Sequence, residues 1–475
     1  NLSQEALYTL PIYGGGLRSA EAFISYMPGV NSGPEMSING SNGRAREILI
    51  DGASITIPES GGTNFYFPGF EAYQEMKLVT STFNAEYGRL GGGLEMITTK
   101  SGTNAYHGSG FWNLRRDIFE AAGWSSNQVV GRTPGYRAKV RLNEEGGTAG
   151  GPVWIPKVYD GRNKTFFYFT YAKDVRPATP VITAGETVPT LAMKNGDFSG
   201  LAYGIYDPST TQTAGGVTTR TMFPGNIIPK SRWSAISSKI VPYIPDPNSG
   251  GGVTANYTLV GSSTHDDTLW TIKADHSFSP SQRVSFFMTR RNYFDLAPSQ
   301  FSGALSNGLQ NGQYPEDYRG NWDWIISPTK LLHTTFGNSQ TIQRWNNPEE
   351  RGWGSKWGFP GLTGKADATP YISFSTDNLT SWGMNQGKVD NGGQFNYTYQ
   401  WSQQLSWVKG KHEYKMGWDI RRLQTTGDDW AGTNGAYVFS RYQTADPTNK
   451  NATGNAFASM LLGAADSASQ TTLPV

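Results

Sequence analysis

The regular alternation of apolar and polar residues over long segments most constrains how this chain folds. The clearest example runs from Trp270 to Arg291. One face of its first strand is predicted to carry mostly apolar and aromatic side chains: Trp270, Ile272, Ala274, His276 and Phe278. The other face is polar: Thr271, Lys273, Asp275 and Ser277. Residues 279–282 reverse the chain, and the alternation resumes with Phe287 as its exception. A two-residue repeat of this kind predicts a β-hairpin.

A second hairpin of the same pattern is predicted around the turn formed by residues 409–411. After this turn the apolar face would carry Tyr414, Met416, Trp418 and Ile420, and the opposite face Glu413, Lys415, Asp419 and Arg421. Charged groups are costly in a dry core, so their face should line a wet lumen or contact another domain. A soluble sheet with one wet face gives the same alternation. Strand length favours the membrane, because runs of about ten residues match a tilted transmembrane strand and exceed the usual length.

This interpretation assigns a direction to individual side chains. The residues expected to face lipid are Ile272, Phe286, Met416 and Trp418. Those expected to face the lumen are Lys273, Asp275, Lys415 and Asp419.

The connections between the predicted strands alternate in length. Short turns follow Phe278, Ile326 and Val408, whereas long polar connections cover about residues 175–265, 295–319 and 346–393. Short periplasmic turns and long outer loops are typical of outer-membrane barrels. The first long connection is too rich in proline to form an interior strand, and loops of this length are usually functional or disordered.

Composition excludes several classes of protein. The 475 residues contain no cysteine, which excludes disulfides, thiolate chemistry and cysteine zinc sites. A net charge of +2 argues against a dedicated nucleic-acid binder, which would carry a basic patch. The sequence has no apolar run of about 18 residues that would predict a membrane-spanning helix.

The first hundred residues follow a different pattern, with short mixed elements that predict a compact α+β domain. Residues 47–50 indicate a short strand closed by an Asp51-Gly52 turn. Residues 70–77 are predicted to be helical and Leu78-Val79 extended. A glycine-rich stretch from Glu86 to Gly110 then leads through a short strand into the first long hairpin.

Several of these segments resemble Oar-like TonB-dependent outer-membrane receptors. The Glu86–Gly110 stretch is similar to the end of the plug domain, where the plug connects to the barrel. Further matches follow in the expected order at residues 145–153, 164–169, 188–190, 196–199, 205–208, 223–229, 243–248, 407–422 and 457–463. Asn39 stands where many relatives carry arginine.

The resemblance implies a mainly β fold, with an α+β plug at residues 1–103 and antiparallel barrel strands at 104–475. The plug should end between Lys100 and Asn104, Tyr106 should begin the first barrel strand, and about 177–265 should be a long extracellular loop. The implied plug motif consists of Ile38, Gly40, Asp51, Gly52, Tyr87, Gly88, Gly92, Gly93, Thr99 and Lys100. Such barrels have roughly 22 strands, and about ten or eleven are expected here. The chain is therefore interpreted as a fragment, which alone would leave two open sheet edges.

No catalytic, metal or cofactor site is predicted. The histidines do not have a metal-ligand spacing, and Ser327-Pro328-Thr329-Lys330 has the Ser-x-x-Lys spacing of a hydrolase motif but lies in a turn. Adjacent acidic pairs such as Asp266-Asp267 would point to opposite faces of a strand. Four plug aromatics could contact a ligand or simply pack the plug, and packing is favoured: Phe65, Tyr66, Phe67 and Phe70.

The function implied by the resemblance is transport across the bacterial outer membrane. The receptor would bind a scarce solute or polymer outside, with a carbohydrate or a peptide among the candidates, and admit it when TonB pulls the plug. The mechanism would be conformational, without covalent chemistry. The expected partners are TonB, through a region missing here, outer-membrane lipid and the solute, and no nucleic acid. The alternatives are a surface adhesin or a secreted all-β carbohydrate-binding or carbohydrate-active protein, which would need two carboxylates about 5–10 Å apart to act as an enzyme.

Overall fold

The computed structural model describes most of the chain. The described residues are 2–3, 17–19, 23–24, 27–31, 36–42, 44–57, 68–81, 83–119, 121, 141–176, 179–250, 252–297, 299–306, 308–346, 351–383, 392–428 and 432–471. Strands dominate these residues, as the alternation predicts.

The described residues up to Thr99, here called the N-terminal unit, form short strands. These are β1 (Leu2–Ser3), β2 (Val30–Asn31), β3 (Ser37–Ile38), β4 (Arg46–Ile50), β5 (Ala53–Ser54), β6 (Tyr73–Val79) and β7 (Gly93–Thr99). Five of them form one sheet in the order β1-β6-β7-β4-β5, in which β4 and β7 run parallel.

The helix predicted for residues 70–77 is wrong. Only Phe70–Ala72 form one turn of 3-10 helix, and β6 follows at once. Tyr73 and Met76 point into the core, with an irregularity between Tyr73 and Glu75 that lets both do so from a strand. That bulge shifts the apolar spacing from two residues to three, which imitates a helical repeat.

The remaining strands follow in chain order. They are β8 (His107–Arg116), β9 (Arg141–Pro152), β10 (Trp154–Ile155), β11 (Tyr159–Asp160), β12 (Thr165–Val175), β13 (Thr179–Glu186), β14 (Tyr206–Ala214), β15 (Val217–Met222), β16 (Tyr257–Ser279), β17 (Gln282–Ala297), β18 (Leu309–Ser327), β19 (Lys330–Asn346), β20 (Tyr371–Phe374), β21 (Gly392–Lys409), β22 (His412–Asp428), β23 (Ala436–Phe439) and β24 (Ser467–Ser469).

Ten of these strands form one large antiparallel sheet, here called the wall. Its order is β22-β21-β19-β18-β17-β16-β12-β9-β8, and β13 pairs with the first part of β16. The predicted mainly β, partly barrel-like fold is confirmed. The first strand of the wall begins at His107, one residue after the predicted start.

The longest strands of the wall exceed the length that a bilayer requires. β16 has 23 residues and β18 has 19, whereas about 9–11 residues suffice to cross the hydrocarbon core. Tight turns join β16 to β17, β18 to β19 and β21 to β22 at one end. The long connections lie at the other end, where the strands extend beyond the bilayer.

The side-chain directions agree with those expected from the alternation. Lys273 and Asp275 are buried on the face that contacts the N-terminal unit, whereas Ile272 and Phe286 are exposed on the outer face. Met416 and Trp418 are likewise exposed and alternate with residues that point inward. Phe287, the exception in the pattern, points inward and packs in the core of the N-terminal unit. An interruption of the alternation thus marks a contact between the two units.

The long connections do not lie apart as separate loops. Residues from 188–257, 301–305, 357–382 and 439–461 share one hydrophobic core and form a compact layer, here called the cap. It contains the helices α1 (Leu191–Lys194), α2 (Ala235–Ile240), α3 (Trp353–Trp357) and α4 (Ala456–Leu461) and a three-stranded sheet β20-β23-β24. Every residue of α4 is buried. None of the described helices has the length and apolarity needed to cross a membrane.

The wall curves around the N-terminal unit without closing on itself. In the described residues, its outermost strands β8 and β22 each pair with one neighbour, and they do not pair with each other.

We expect an arginine to be tolerated at position 415 and harmful at position 416. Met416→Arg places a charge on the lipid face, where the cost reaches roughly 2–4 kcal/mol at the midplane and less near the interface. Lys415→Arg keeps the charge on the inner face. The yield of folded full-length protein in outer-membrane fractions measures the difference, and an equal loss from both variants would contradict the assigned directions.

Candidate functional site between the N-terminal unit and the wall

An ion pair joins the centre of the N-terminal unit to the wall. The Lys273 ammonium lies 3.0 Å from Oδ2 of Asp51 and donates to Oγ1 and the carbonyl oxygen of Thr99, at 2.8 and 3.1 Å. Asp51 also accepts the Thr99 amide at 3.0 Å. The sequence places Asp51 in the turn between β4 and β5 and Thr99 at the end of β7, and the parallel pairing of β4 with β7 brings them together.

The turn that carries Asp51 approaches the wall closely. Asp51 and Gly52 both have positive φ, 43° and 91°, so Gly52 suits a conformation that other residues rarely adopt. A side chain on Gly52 would reach Thr335 of β19. Across the same gap, a Cβ on Gly337 would lie 2.7 Å from Cβ of Ala53. Glycine at Gly337 therefore allows the tip of β5 to contact the wall.

A second polar cluster lies beside this turn and contains a fully buried ion pair. Arg319 binds Asp317 through two hydrogen bonds of 2.7 and 2.8 Å. Ser339 donates to Asp317 or to the carbonyl oxygen of Ser54, at 2.5 and 3.1 Å. Gln400 accepts the Ser54 amide at 2.7 Å. The edge strand β5 is thus held by side chains of the wall through its backbone groups.

Two further ion pairs connect the N-terminal unit to β22. Arg421 donates to Glu47 at 2.7 Å, and Lys415 lies 2.5 Å from Glu86. Partial burial alone would raise the pKa of Glu86, but hydrogen bonds from Lys415, Gln404 and Asn84 outweigh it and hold the pKa below the usual range.

On the opposite side of the N-terminal unit, Arg18 lies between two carboxylates. It binds Glu71 at 3.0 Å and Glu144 of β9 at 2.6 Å, and its guanidinium lies over the rings of Phe70 and Phe111. Burial raises the pKa of Glu71; Lys100 opposes this shift, and Glu144 adds to it. Burial lowers the pKa of Lys100, against the influence of Glu71.

A cavity of about 750 Å³ adjoins this region. It lies between the N-terminal unit and strands β8, β9 and β12. Its lining includes Glu71, Lys100, His107, Ser109, Phe111 and Tyr168.

Six of the ten residues of the predicted plug motif fall into two groups. Asp51, Gly52 and Thr99 lie at the wall, whereas Ile38, Gly92 and Gly93 pack inside the N-terminal unit. A Cβ on Gly93 would lie 2.4 Å from Ile38, which explains the glycine there. Gly40 forms the turn after β3, and Tyr87 and Gly88 lie in the loop that carries Glu86. Lys100 donates its amide to Ala72 and lines the cavity.

Of the predicted aromatic platform, the structure describes only one member. Phe70 is buried, packs near Phe23 and lies under Arg18, in line with a packing role. Phe65, Tyr66 and Phe67 lie outside the described residues. Within the described ranges, no group of three or more metal-ligating side chains is placed to hold a metal ion.

Several contact residues were not predicted as site residues. The interface includes seven residues that were not assigned to a site: Arg18, Ser54, Glu71, Asp317, Arg319, Gln400 and Arg421. For the residues of the wall, the sequence does contain a signal of such contacts. Charged residues at inward positions of a strand need partners. The sequence pattern does not show which partner each one meets.

The fold and this interface define a protein of the bacterial outer membrane. The chain belongs to the family described as "Outer membrane beta barrel domain", whose model matches residues 98–475. It is similar to the TonB-dependent transporter Oar of Myxococcus xanthus, with 31% identity over 147 residues, which cover 31% of this chain and 14% of Oar. The resemblance to Oar-like TonB-dependent receptors is therefore confirmed.

One solved structure shares the fold at low sequence identity, and a second is similar at a lower score. The outer membrane transporter YddB of Escherichia coli has a TM-score of 0.54 and 10% identity, covering 94% of this chain and 50% of that protein. The ferric enterobactin receptor PfeA of Pseudomonas aeruginosa has a TM-score of 0.46 and 13% identity, covering 91% and 50%. The chain thus spans about half the length of these two proteins. A location in the outer membrane also contradicts the secreted alternative.

We expect Asp51→Asn to loosen the N-terminal unit from the wall. Removing one partner of a nearly buried ion pair costs about 3–5 kcal/mol, because the other charge stays buried without compensation. Hydrogen exchange of β4 and β7 amides in the full-length protein measures the loss of protection. A double variant with Lys273→Gln should recover part of it, and strictly additive losses would show that the two residues are not coupled.

Acid should release the loop that carries Glu86. Because the folded-state pKa of Glu86 is lowered, its contribution is present above the unfolded-state value and is lost as the pH falls through the folded-state pKa. A spin label on Ala85→Cys is unambiguous in a chain without cysteine. It should become more mobile as the pH falls below the ordinary pKa of a glutamate, about 4.3. Glu86→Gln should remove the pH dependence, and an unchanged transition in that variant would contradict the role of Glu86.

Proposed function

We propose that this protein is a TonB-dependent receptor that admits a solute through the outer membrane. In this proposal residues 1–103 are the plug and residues 104–475 supply barrel strands. The long loop at about 177–265 is extracellular, together with the cap. The observation that carries the proposal is the polar contact between the N-terminal unit and the inner face of the wall. The Lys273–Asp51 pair is its centre.

The chemistry of this interface suits a plug that must separate from the barrel and rebind. Ion pairs and hydrogen bonds can be exchanged for contacts with water, so their rupture in a wet lumen costs less than exposing an apolar core. Phe287 is a wall residue that enters the core of the N-terminal unit, and it would resist displacement more strongly. The plug would therefore be held in one position without being fused to the barrel.

The order of strands supports a direction of release. β1 lies at one edge of the five-stranded sheet and pairs with β6 through two residues, Leu2 and Ser3. β5 lies at the other edge and is held by Ser339 and Gln400 of the wall. A pull by TonB on the chain preceding Leu2 would separate β1 first and leave the contacts of β5 until later.

The proposed mechanism involves no covalent chemistry. Asp51, Gly52 and Thr99 would hold the plug at the wall, and the other motif residues would maintain its packing. Lipid does not tolerate unpaired strand edges, so in the membrane β8 and β22 would each pair with a further strand. The solute or polymer would be bound from the side of the cap.

A disulfide between the plug and the wall tests this proposal. A Cβ on Gly69 would lie 4.0 Å from Cβ of Thr170 in β12, within the range of natural disulfides. Gly69 has a φ of −53°, which other residues adopt freely. In the full-length protein, Gly69→Cys with Thr170→Cys should abolish uptake when oxidised and restore it after reduction. The measurement is growth of the host on the solute identified as limiting for it.

Two controls separate locking from general damage. Each single cysteine should leave uptake unchanged under both conditions. A matched pair within the wall, Thr271→Cys with Thr289→Cys, joins hydroxyl positions 3.0 Å apart. It links two strands of the wall to each other and not to the plug, so it should also leave uptake intact. Normal uptake by the oxidised plug–wall pair would reject plug displacement, and normal surface adhesion without any uptake would favour an adhesin.

A further inference from the structure

The outer face of the wall changes character abruptly near the tight turns. One row of paired residues across four strands is apolar, namely Trp324, Leu332, Leu405 and Met416. Two residues closer to the turns, the next outward row contains Lys330, Trp407 and Tyr414. Two residues of a strand span about 7 Å, and aromatic side chains beside lysines are typical of the boundary between hydrocarbon and headgroups.

Two lysines gather around one indole ring in this row. The ammonium of Lys330 lies 5.0 Å from the ring centroid of Trp407, and that of Lys409 lies 5.2 Å from it. Tyr414 packs beside the same ring at 5.6 Å. Attraction between a cation and an aromatic face holds the lysines in place and leaves their N–H groups able to donate elsewhere.

The acidic residues nearby are engaged elsewhere. Glu413 pairs in register with Val408, so it lies on the face opposite Trp407. Asp323 binds His333, and Asp419 binds Arg421 on the inner face. Among the described residues, no carboxylate forms an ion pair with Lys330 or Lys409. The pair of lysines therefore leaves two positive charges uncompensated at the membrane surface.

We propose that Lys330, Lys409 and Trp407 form a binding site for the headgroup of an anionic glycerophospholipid. The phosphate would accept hydrogen bonds from the two ammonium groups, and the acyl chains would run along Leu332, Leu405 and Met416. The lipid belongs to the leaflet at the tight-turn end of the barrel. Charge complementarity selects an anionic lipid, and the apolar row directly beside the lysines selects a lipid over a free anion.

The test measures lipid binding to the full-length protein by native mass spectrometry from detergent. The probes are phosphatidylglycerol, phosphatidylethanolamine and inorganic phosphate. We expect phosphatidylglycerol to bind the unmodified protein in preference to the other two probes. Lys330→Gln with Lys409→Gln should weaken this binding about thirtyfold, as expected from the removal of two lysines near a membrane surface.

A matched control removes two lysines at the same end of the barrel. Lys157→Gln with Lys164→Gln lies in the connection from β9 to β12 and should leave phosphatidylglycerol binding unchanged. Lys330→Arg with Lys409→Arg keeps both positive charges and should retain binding. This variant separates the loss of charge from damage caused by substitution itself. Equal weakening in the control pair would overturn the site in favour of general charge attraction. Equally tight binding of inorganic phosphate would overturn its assignment to a lipid.

Discussion

In lipid, the backbone groups of a sheet must form hydrogen bonds with neighbouring strands, and the outward-facing side chains must be apolar. This requirement governs the structure and sends every second residue of the wall inward, including Lys273, Asp317 and Arg319. Charges in that position need partners, and the wall supplies only some of them. Arg319 is neutralised by Asp317 within one strand, whereas Lys273 depends on Asp51 of the N-terminal unit. The contact between the two units follows from this requirement.

The interface is polar at its centre and apolar at one point. Backbone groups of β5, the Asp51 turn and the loop of Glu86 all meet side chains of the wall. Phe287 adds one apolar contact with the core of the N-terminal unit. Such an interface fixes the N-terminal unit in one position through mainly polar contacts, which supports the plug role proposed for it.

The cap shows how tertiary structure can reverse an expectation from composition. Connections rich in proline, and therefore unable to form interior strands, were expected to be long loops. They instead share a core in which α4, from a late segment of the chain, is entirely buried. Asn455 and Ser234 accept amide hydrogen bonds at the starts of α4 and α2, so local capping signals support this assembly. A folded cap presents a fixed surface at the end of the barrel away from the tight turns.

The sequence by itself determined the long strands of the wall and which way their side chains point. Alternation is a local property, so Ile272 could be assigned outward and Lys273 inward from neighbouring residues alone. The pairing of Lys273 with Asp51 joins positions 222 residues apart, and no local pattern carries that information. The same holds for Arg18 with Glu144 and for the cap, whose core joins four separate segments. Only the tertiary structure decided these contacts, because each depends on the path of the whole sheet between the two partners.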